Sequence, residues 1–240
     1  MNQKDLKRGC FYWKDKKPYL SVTEILKVID KPALRRWYGE QVYYAMLVNP
    51  GMQKEEALSA PYKVSSDAKS RGSTVHSIVE AYKHTGEHID SIPEEFRGYA
   101  KAFYKFVEDL SPIILEHEKT VFSAKYNYGG TLDLIIKIGN SKPIVCDVKT
   151  GKDIYQEAWL QTAAYHEALI EEGMDIDGIA VLLLMEDGTY KFESRSNYKT
   201  KYRGFLACKA IYEALNEEML TKVGYLNKSV QPMLEVVKND

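Results

Sequence analysis

The apolar positions of this chain follow two rhythms. Within residues 67–84, Val75, Ile78, Val79 and Tyr82 recur at helical spacing. Pro93 opens a second helical stretch that runs to about Leu110. The rhythm then changes. Compact apolar runs at 113–122, 130–138 and 144–149 are separated by the turn-rich KYNYGG and GNSKP, and they predict three strands. A helix over 153–172 follows. Two strands, 178–185 and 189–194, are joined at EDG as a hairpin. A long helix over 198–222 completes the pattern. Upstream, Ser21 with Glu24 three residues later has the form of a capping box and predicts a short helix. Pro32 opens a helix over 33–48 that NPG ends, and 53–60 adds a further turn or two. The order predicts an α/β (α+β) fold with a mixed central β-sheet flanked by helices.

The chain has 240 residues, 45% of them apolar, which is enough for a sizeable core. Its net charge of −1 excludes a uniformly basic polyanion binder, so any such contact must come from local patches. Cys10, Cys146 and Cys208 lie far apart with no CxxC pair. That argues against a disulfide framework and against a cysteine-built zinc or iron–sulfur site. The N-terminal stretch has no apolar h-region, and the longest apolar run, IAVLLLM from Ile179, suits a buried strand rather than a membrane span. The expectation is a soluble, cytoplasmic protein without a membrane partner.

Charges interrupt two of the predicted strands. Side chains alternate across a strand, so Val145, Asp147 and Lys149 share one face while Ile144, Cys146 and Val148 share the other. By the same rule Leu132, Leu134, Ile136 and Ile138 share a face, and Asp133 points the opposite way. If the two strands pair, two carboxylates and one ammonium converge. An internal salt bridge is one reading of that cluster. The other is a divalent cation that absorbs the negative surplus, with the lysine beside it. Such a site can hydrolyse a phosphodiester.

Two helical pairs bear on the choice. His76 and Glu80 are four apart and share a helix face, as do Gln161 and Tyr165. Each of these alone has an ordinary structural reading. A lone histidine is usually a core or surface residue, Glu80 a solvated one, Gln161 and Tyr165 a packing pair, and Glu118 an edge charge.

The helix RGSTVHSIVE, then GGTLD, then DVKTGK, then QTAAYHEA occur in that order over roughly residues 67–195. This ordered set resembles the PD-(D/E)xK nuclease superfamily, and within it the RecB-type exonuclease domain. The opening PYLSVTEILKVIDKPALRRWYGEQ resembles the N-terminal helical segment of phage-type members. It is also similar to that of the mitochondrial genome-maintenance exonucleases, which act on single-stranded ends.

The resemblance implies a restriction-endonuclease-like core over 67–240 and an N-terminal helical annex over 1–66 that contacts DNA. It implies Asp133 and Asp147 as metal ligands, Lys149 as the catalytic lysine, and His76 and the main chain at Val148 as further ligands. Gln161 and Tyr165 become the motif beside the site, with Glu80 and Glu118 as supporting acids. One or two Mg²⁺ or Mn²⁺ ions are expected, and no iron–sulfur cluster. Lys69, Arg71, Arg35 and Arg36 are candidate DNA contacts, with Lys199, Lys201 and Arg203 as a further basic cluster, and some of the 18 tyrosines are candidates for stacking on unpaired bases. There is no GxxxxGKS/T phosphate loop, so unwinding would fall to a separate helicase, with or without a single-strand-binding protein. The expected activity is hydrolysis from DNA ends by a bacterial or phage-encoded enzyme, on single strands or single-stranded tails, in recombination, repair or DNA processing. An endonuclease of the same superfamily and a non-catalytic DNA-binding module are the rival readings.

Overall fold

The computed structural model describes residues 9–82 and 89–226. Its centre is a seven-stranded mixed sheet. The strands are β1 (Phe11–Lys14), β2 (Lys17–Ser21), β3 (Ile113–Ser123), β4 (Tyr128–Lys137), β5 (Ile144–Thr150), β6 (Gly178–Leu184) and β7 (Tyr190–Arg195). Their order is β1-β2-β4-β5-β6-β7, with β3 also paired to β4. The pairs β2/β4 and β5/β6 are parallel and the rest antiparallel. The helices are α1 (Val22–Ile25), α2 (Pro32–Val48), α3 (Lys54–Ala81), α4 (Glu94–Leu110), α5 (Gln156–Glu171), α6 (Lys199–Leu215) and α7 (Glu217–Lys222). This is the α/β class that the pattern predicts.

Two layers of helices cover the sheet. On one side α3 and α4 bring Val75, Val79, Phe103 and Phe106 against Leu134, Ile136, Cys146, Val148 and Leu182. On the other, α5 and α6 bring Ala164, Leu169 and Phe205 against Leu132, Ile135 and Val145. The alternation along β5 is therefore as the sequence predicts. The strand β6 is buried throughout, because both of its faces are covered. Among the described residues no helix is long and apolar enough to cross a membrane.

Several local readings need correction. Residues 1–66 are not purely helical. Phe11–Ser21 forms a hairpin whose second strand joins the central sheet, pairing Leu20 with Tyr128 and Ser21 with Gly129. Its two-residue turn, Asp15 and Lys16, lies wholly in the left-handed region (φ 50° and 63°), as a type I′ turn requires. No glycine marks that turn, and Pro18 sits in the strand, so the usual hairpin signals are missing. The helix α3 is continuous over 28 residues and crosses the expected boundary at 66/67. Pro61 lies inside it without ending it. The predicted end of this helix at His84 lies outside the described residues. At Ser21 a helix does start, but Ser21 Oγ bonds Thr23 Oγ1 at 2.9 Å, and Glu24 binds Lys27 and Tyr212, so the capping box does not form. The last predicted helix divides at Asn216 into α6 and α7.

His166, fully buried on α5, lies against the Tyr198 ring with centroids 3.9 Å apart. Burial pushes its pKa down to about 4. The folded chain thus keeps a neutral imidazole where the unfolded chain, near 6.5, takes a proton. Stability from this group is present above about pH 6.5 and is lost as pH falls toward 4. The loss is on the order of 3 kcal/mol. Urea-denaturation midpoints between pH 4 and 7.5 should show a shallower acid-side fall for His166→Phe than for the native chain. Equal slopes would show that this buried imidazole is not the cause.

Candidate active site

The site begins with a fork in the sheet. β3 runs along one edge of β4 for its whole length, so β2 and β5 share the other edge. Along β4, β5 reaches only Leu134, Ile135 and Ile136, and β2 only Tyr128 and Gly129. Continued register would set Leu132 opposite Val148. Instead the strands part, and Val148 N–H donates to Asp133 Oδ2 at 2.6 Å. The carboxylate stands in for the missing ladder partner and satisfies a backbone donor that would otherwise be orphaned.

The same fork changes the face of β4. Leu132 packs with the α5/α6 side and Leu134 with the α3/α4 side, so they do not share a face as strict alternation predicts. On β3, Glu118 falls between the pairs His117↔Leu134 and Lys119↔Leu132, and its φ is 44°. A non-glycine residue in that region costs about 1–3 kcal/mol. Gly130 fills another tight place. A Cβ there would lie 2.6 Å from the Tyr165 ring, so the ring rests directly on the β4 backbone.

α3 delivers His76 to this point. Its Nδ1 is 3.4 Å from Asp133 Oδ1 and 3.6 Å from Glu118 Oε1. One ligand atom from each of His76, Glu118 and Asp133 lies within 4.8 Å of the others. Burial pulls the Asp133 pKa upward, but His76, Lys149 and the Val148 N–H outweigh it and hold the carboxyl below its usual value. For His76, burial favours the neutral ring, yet Asp133 wins and the pKa is raised. Glu118 is raised by burial and by the Asp133 charge.

Asp147 is 1% exposed. Lys149 Nζ donates to its Oδ1 at 2.7 Å, while Oδ2 is buried without a hydrogen bond among the described residues. Burial pushes its pKa up to about 6, against the pull of Lys149. The Lys149 side chain is 35% exposed, and its ammonium is kept charged by Asp147 and Asp133 despite the desolvation cost. Both sequence readings of the cluster therefore have a physical counterpart. Asp147 and Lys149 make the salt bridge, and His76, Glu118 and Asp133 make the cation-sized cluster. The expected ligand set of His76, Asp133, Asp147 and Val148 differs from that trio. His76 and Asp133 belong to both, Glu118 joins them in the trio where Asp147 does not, and the Val148 N–H donates to Asp133.

The remaining candidates divide. Lys69 and Glu80 line a cleft of about 740 Å³ together with His76, Glu118, Asp133 and Lys149. Gln161 Nε2 donates to Tyr165 OH at 3.3 Å, and Tyr165 is buried beside Asp147 and Asp133. Arg71 instead meets Tyr99. Arg35 pairs with Asp30 and Arg36 with Glu40. Lys201 Nζ donates to Gln156 Oε1. Gly130 and the left-handed backbone at Glu118 were missed by sequence reasoning, which named Glu118 as a supporting acid. For Gly130 the signal was present, since a glycine inside a strand marks a close approach, but Gly129-Gly130 reads first as a turn. For Glu118 no local signal exists.

The donor set fits a hard divalent cation. Glu80, Glu118 and Asp133 line the cleft against Lys69 and Lys149, and Asp147 Oδ2 is a buried acceptor with no hydrogen bond among the described residues. The His76 imidazole softens the set toward Mn²⁺.

No family model and no curated protein matches this chain. Among solved structures it is similar to a crystal structure of SSO0001, with a TM-score of 0.37 and 14% identity over 83% of this chain and 78% of that one. It is also similar to an alkaline exonuclease, LHK-Exo, from Laribacter hongkongensis, at TM-score 0.37 and 10% identity over 85% of this chain and 94% of that one. The same exonuclease in complex with dAMP gives 0.36, again at 10% identity. At these scores the likeness carries no argument, and the site stands on its own geometry.

A saturating concentration of Mn²⁺, about 100 times its Kd, should stabilise the fold by about 2.7 kcal/mol. Melting curves of the native chain should then rise by roughly 5–10 °C, and Asp133→Asn should cancel the rise. An unchanged melting temperature with Mn²⁺ or Mg²⁺ would remove the cation from the site. Separately, Gly130→Ala should cost about 1–3 kcal/mol through its clash with the Tyr165 ring. Adding Tyr165→Leu should recover part of that loss in urea denaturation, and strict additivity of the two changes would refute the close contact.

Proposed function

We propose that this chain is a metal-dependent deoxyribonuclease that hydrolyses phosphodiester bonds from DNA ends, acting on single strands or single-stranded tails. The observation that carries this reading is the meeting of His76, Glu118 and Asp133 with the partly exposed Lys149 on one open cleft of about 740 Å³. The order of these residues along the chain, with Gln161 and Tyr165 after them, is the order of the RecB-type PD-(D/E)xK nucleases they resemble.

The geometry supports the following roles. A bound Mg²⁺ or Mn²⁺ would supply Lewis acidity toward the phosphate and a lowered pKa for water. His76, Glu118 and Asp133 would hold it, with Asp147 Oδ2 as a further acceptor. Asp133 is fixed for this by the Val148 N–H, so little reorganisation accompanies binding. Lys149 is a preorganised cation held by Asp147. Aimed at the cleft, it orients the attacking water and stabilises the charge that develops on the phosphate oxygens. Lys69 at the rim offers a phosphate contact. In this reading the α2–α3 part of residues 1–66 contacts the DNA, and 67 onward carries the chemistry.

The test is incubation with Mn²⁺ or Mg²⁺ and end-labelled linear single strands, linear duplex and closed circles. Linear strands should be degraded and circles spared. Lys149→Met should lower the rate by about 10²–10³-fold, as removal of one preorganised donor does, with circular dichroism confirming that the variant is folded. Cleavage of circles would make the enzyme an endonuclease. DNA binding with no cleavage under any metal would make it a non-catalytic module.

A further inference from the structure

Lys149 and Thr150 line a second cleft as well as the acidic one. This second cleft, of about 1000 Å³, opens on the other side of the lysine, between α2 and the start of α5. Its chemistry is different. Leu26, Ile29, Leu34 and Tyr38 line it from the N-terminal helices, and Tyr155 and Ala158 from α5 and the residue before it. Its charges are already paired: Lys27 with Glu24, Arg35 with Asp30, Lys149 with Asp147, Asp153 with Lys191, and Lys31 with Glu157 at 2.7 Å. The last pair ties the residue before α2 to the first turn of α5. A cleft of apolar side chains, aromatic rings and neutralised charges does not favour a phosphate. It favours a flat, uncharged ring system.

We infer that this second cleft is a nucleobase subsite, and that Tyr155 is a stacking residue that positions an unpaired base next to the bond being cut. This rests on the nuclease reading for the phosphate side of the site. Tyr155 is 60% exposed, so its ring has a free face at the cleft mouth, whereas Tyr38 is braced by Trp37 and Tyr62. A nucleotide spans two chemistries, and here two clefts of matching character join at Lys149. The base lies in the neutral cleft and the phosphate in the acidic one, where the cation and Lys149 offset its charge. A ring face is available for stacking on a side chain only when the base has left the duplex stack, so the subsite selects single-stranded substrate.

The experiment uses the full chain and two labelled strands of equal length, an oligothymidylate and its abasic counterpart, with binding read by fluorescence anisotropy without divalent metal. The native chain should bind the strand with bases about ten-fold more tightly or better. Tyr155→Ala should lose about that factor on this strand and little on the abasic one, and Tyr155→Phe should keep it. In Mn²⁺, Tyr155→Ala should raise KM more than it lowers kcat. Equal loss on both strands, or no loss on either, would overturn the subsite. If the native chain cleaves nothing but base-dependent binding through Tyr155 holds, the nuclease reading falls and the subsite stands. If cleavage persists and Tyr155→Ala behaves as the native chain, the subsite alone falls.

Discussion

The hydrogen bond from Val148 N–H to Asp133 Oδ2 closes a gap that the sheet itself leaves open. Where β5 leaves β4, one buried backbone donor, the Val148 N–H, loses its ladder partner. A carboxylate fills that place. The consequence is chemical as well as structural. One oxygen of Asp133 is committed to the backbone, and the other is left facing His76 and Glu118 at a fixed position. The rigidity of the candidate site thus comes from the same bond that repairs the sheet.

The electrostatics follow from that placement. Asp133 and Asp147 enter the site from adjacent strands, and Glu118 joins them across β3. Three carboxyl groups so close cannot all ionise without compensation. Their pKa values diverge accordingly: Asp133 is lowered by His76, Lys149 and the backbone N–H, while Asp147 and Glu118 are raised by burial and by the Asp133 charge. Lys149 offsets part of the charge. The left-handed Glu118 and the orphaned Asp147 oxygen are costs that the fold carries at this one place.

The helical layers give the site its surroundings. α3 carries His76 on the same helix that begins beside α2, so the acidic cleft and the N-terminal helical hairpin are mechanically one piece. The Lys31–Glu157 pair ties that piece to α5. α5 in turn presses Tyr165 onto Gly130 and donates from Gln161 to the same hydroxyl. Motion of α2 or α5 would therefore be felt at both clefts around Lys149.

Much of this was legible along the chain, for a simple reason: periodicity is local. The alternation of Val145, Asp147 and Lys149 against Ile144, Cys146 and Val148 needs only the geometry of an extended backbone, and so does the four-residue spacing that brings Gln161 to Tyr165. Strand and helix types, their order and the convergence of Asp133, Asp147 and Lys149 could be read from such rules. The hairpin at Phe11–Ser21 could not, because its turn lacks glycine and its place in the sheet depends on Tyr128 and Gly129, more than a hundred residues away. Nor could the switch of face at Leu132, the left-handed Glu118, or the place of Glu118 in the trio with His76 and Asp133. Each arises around β4, where β3 takes one edge and β2 and β5 divide the other, and a contest between distant segments leaves no periodic trace in any of them.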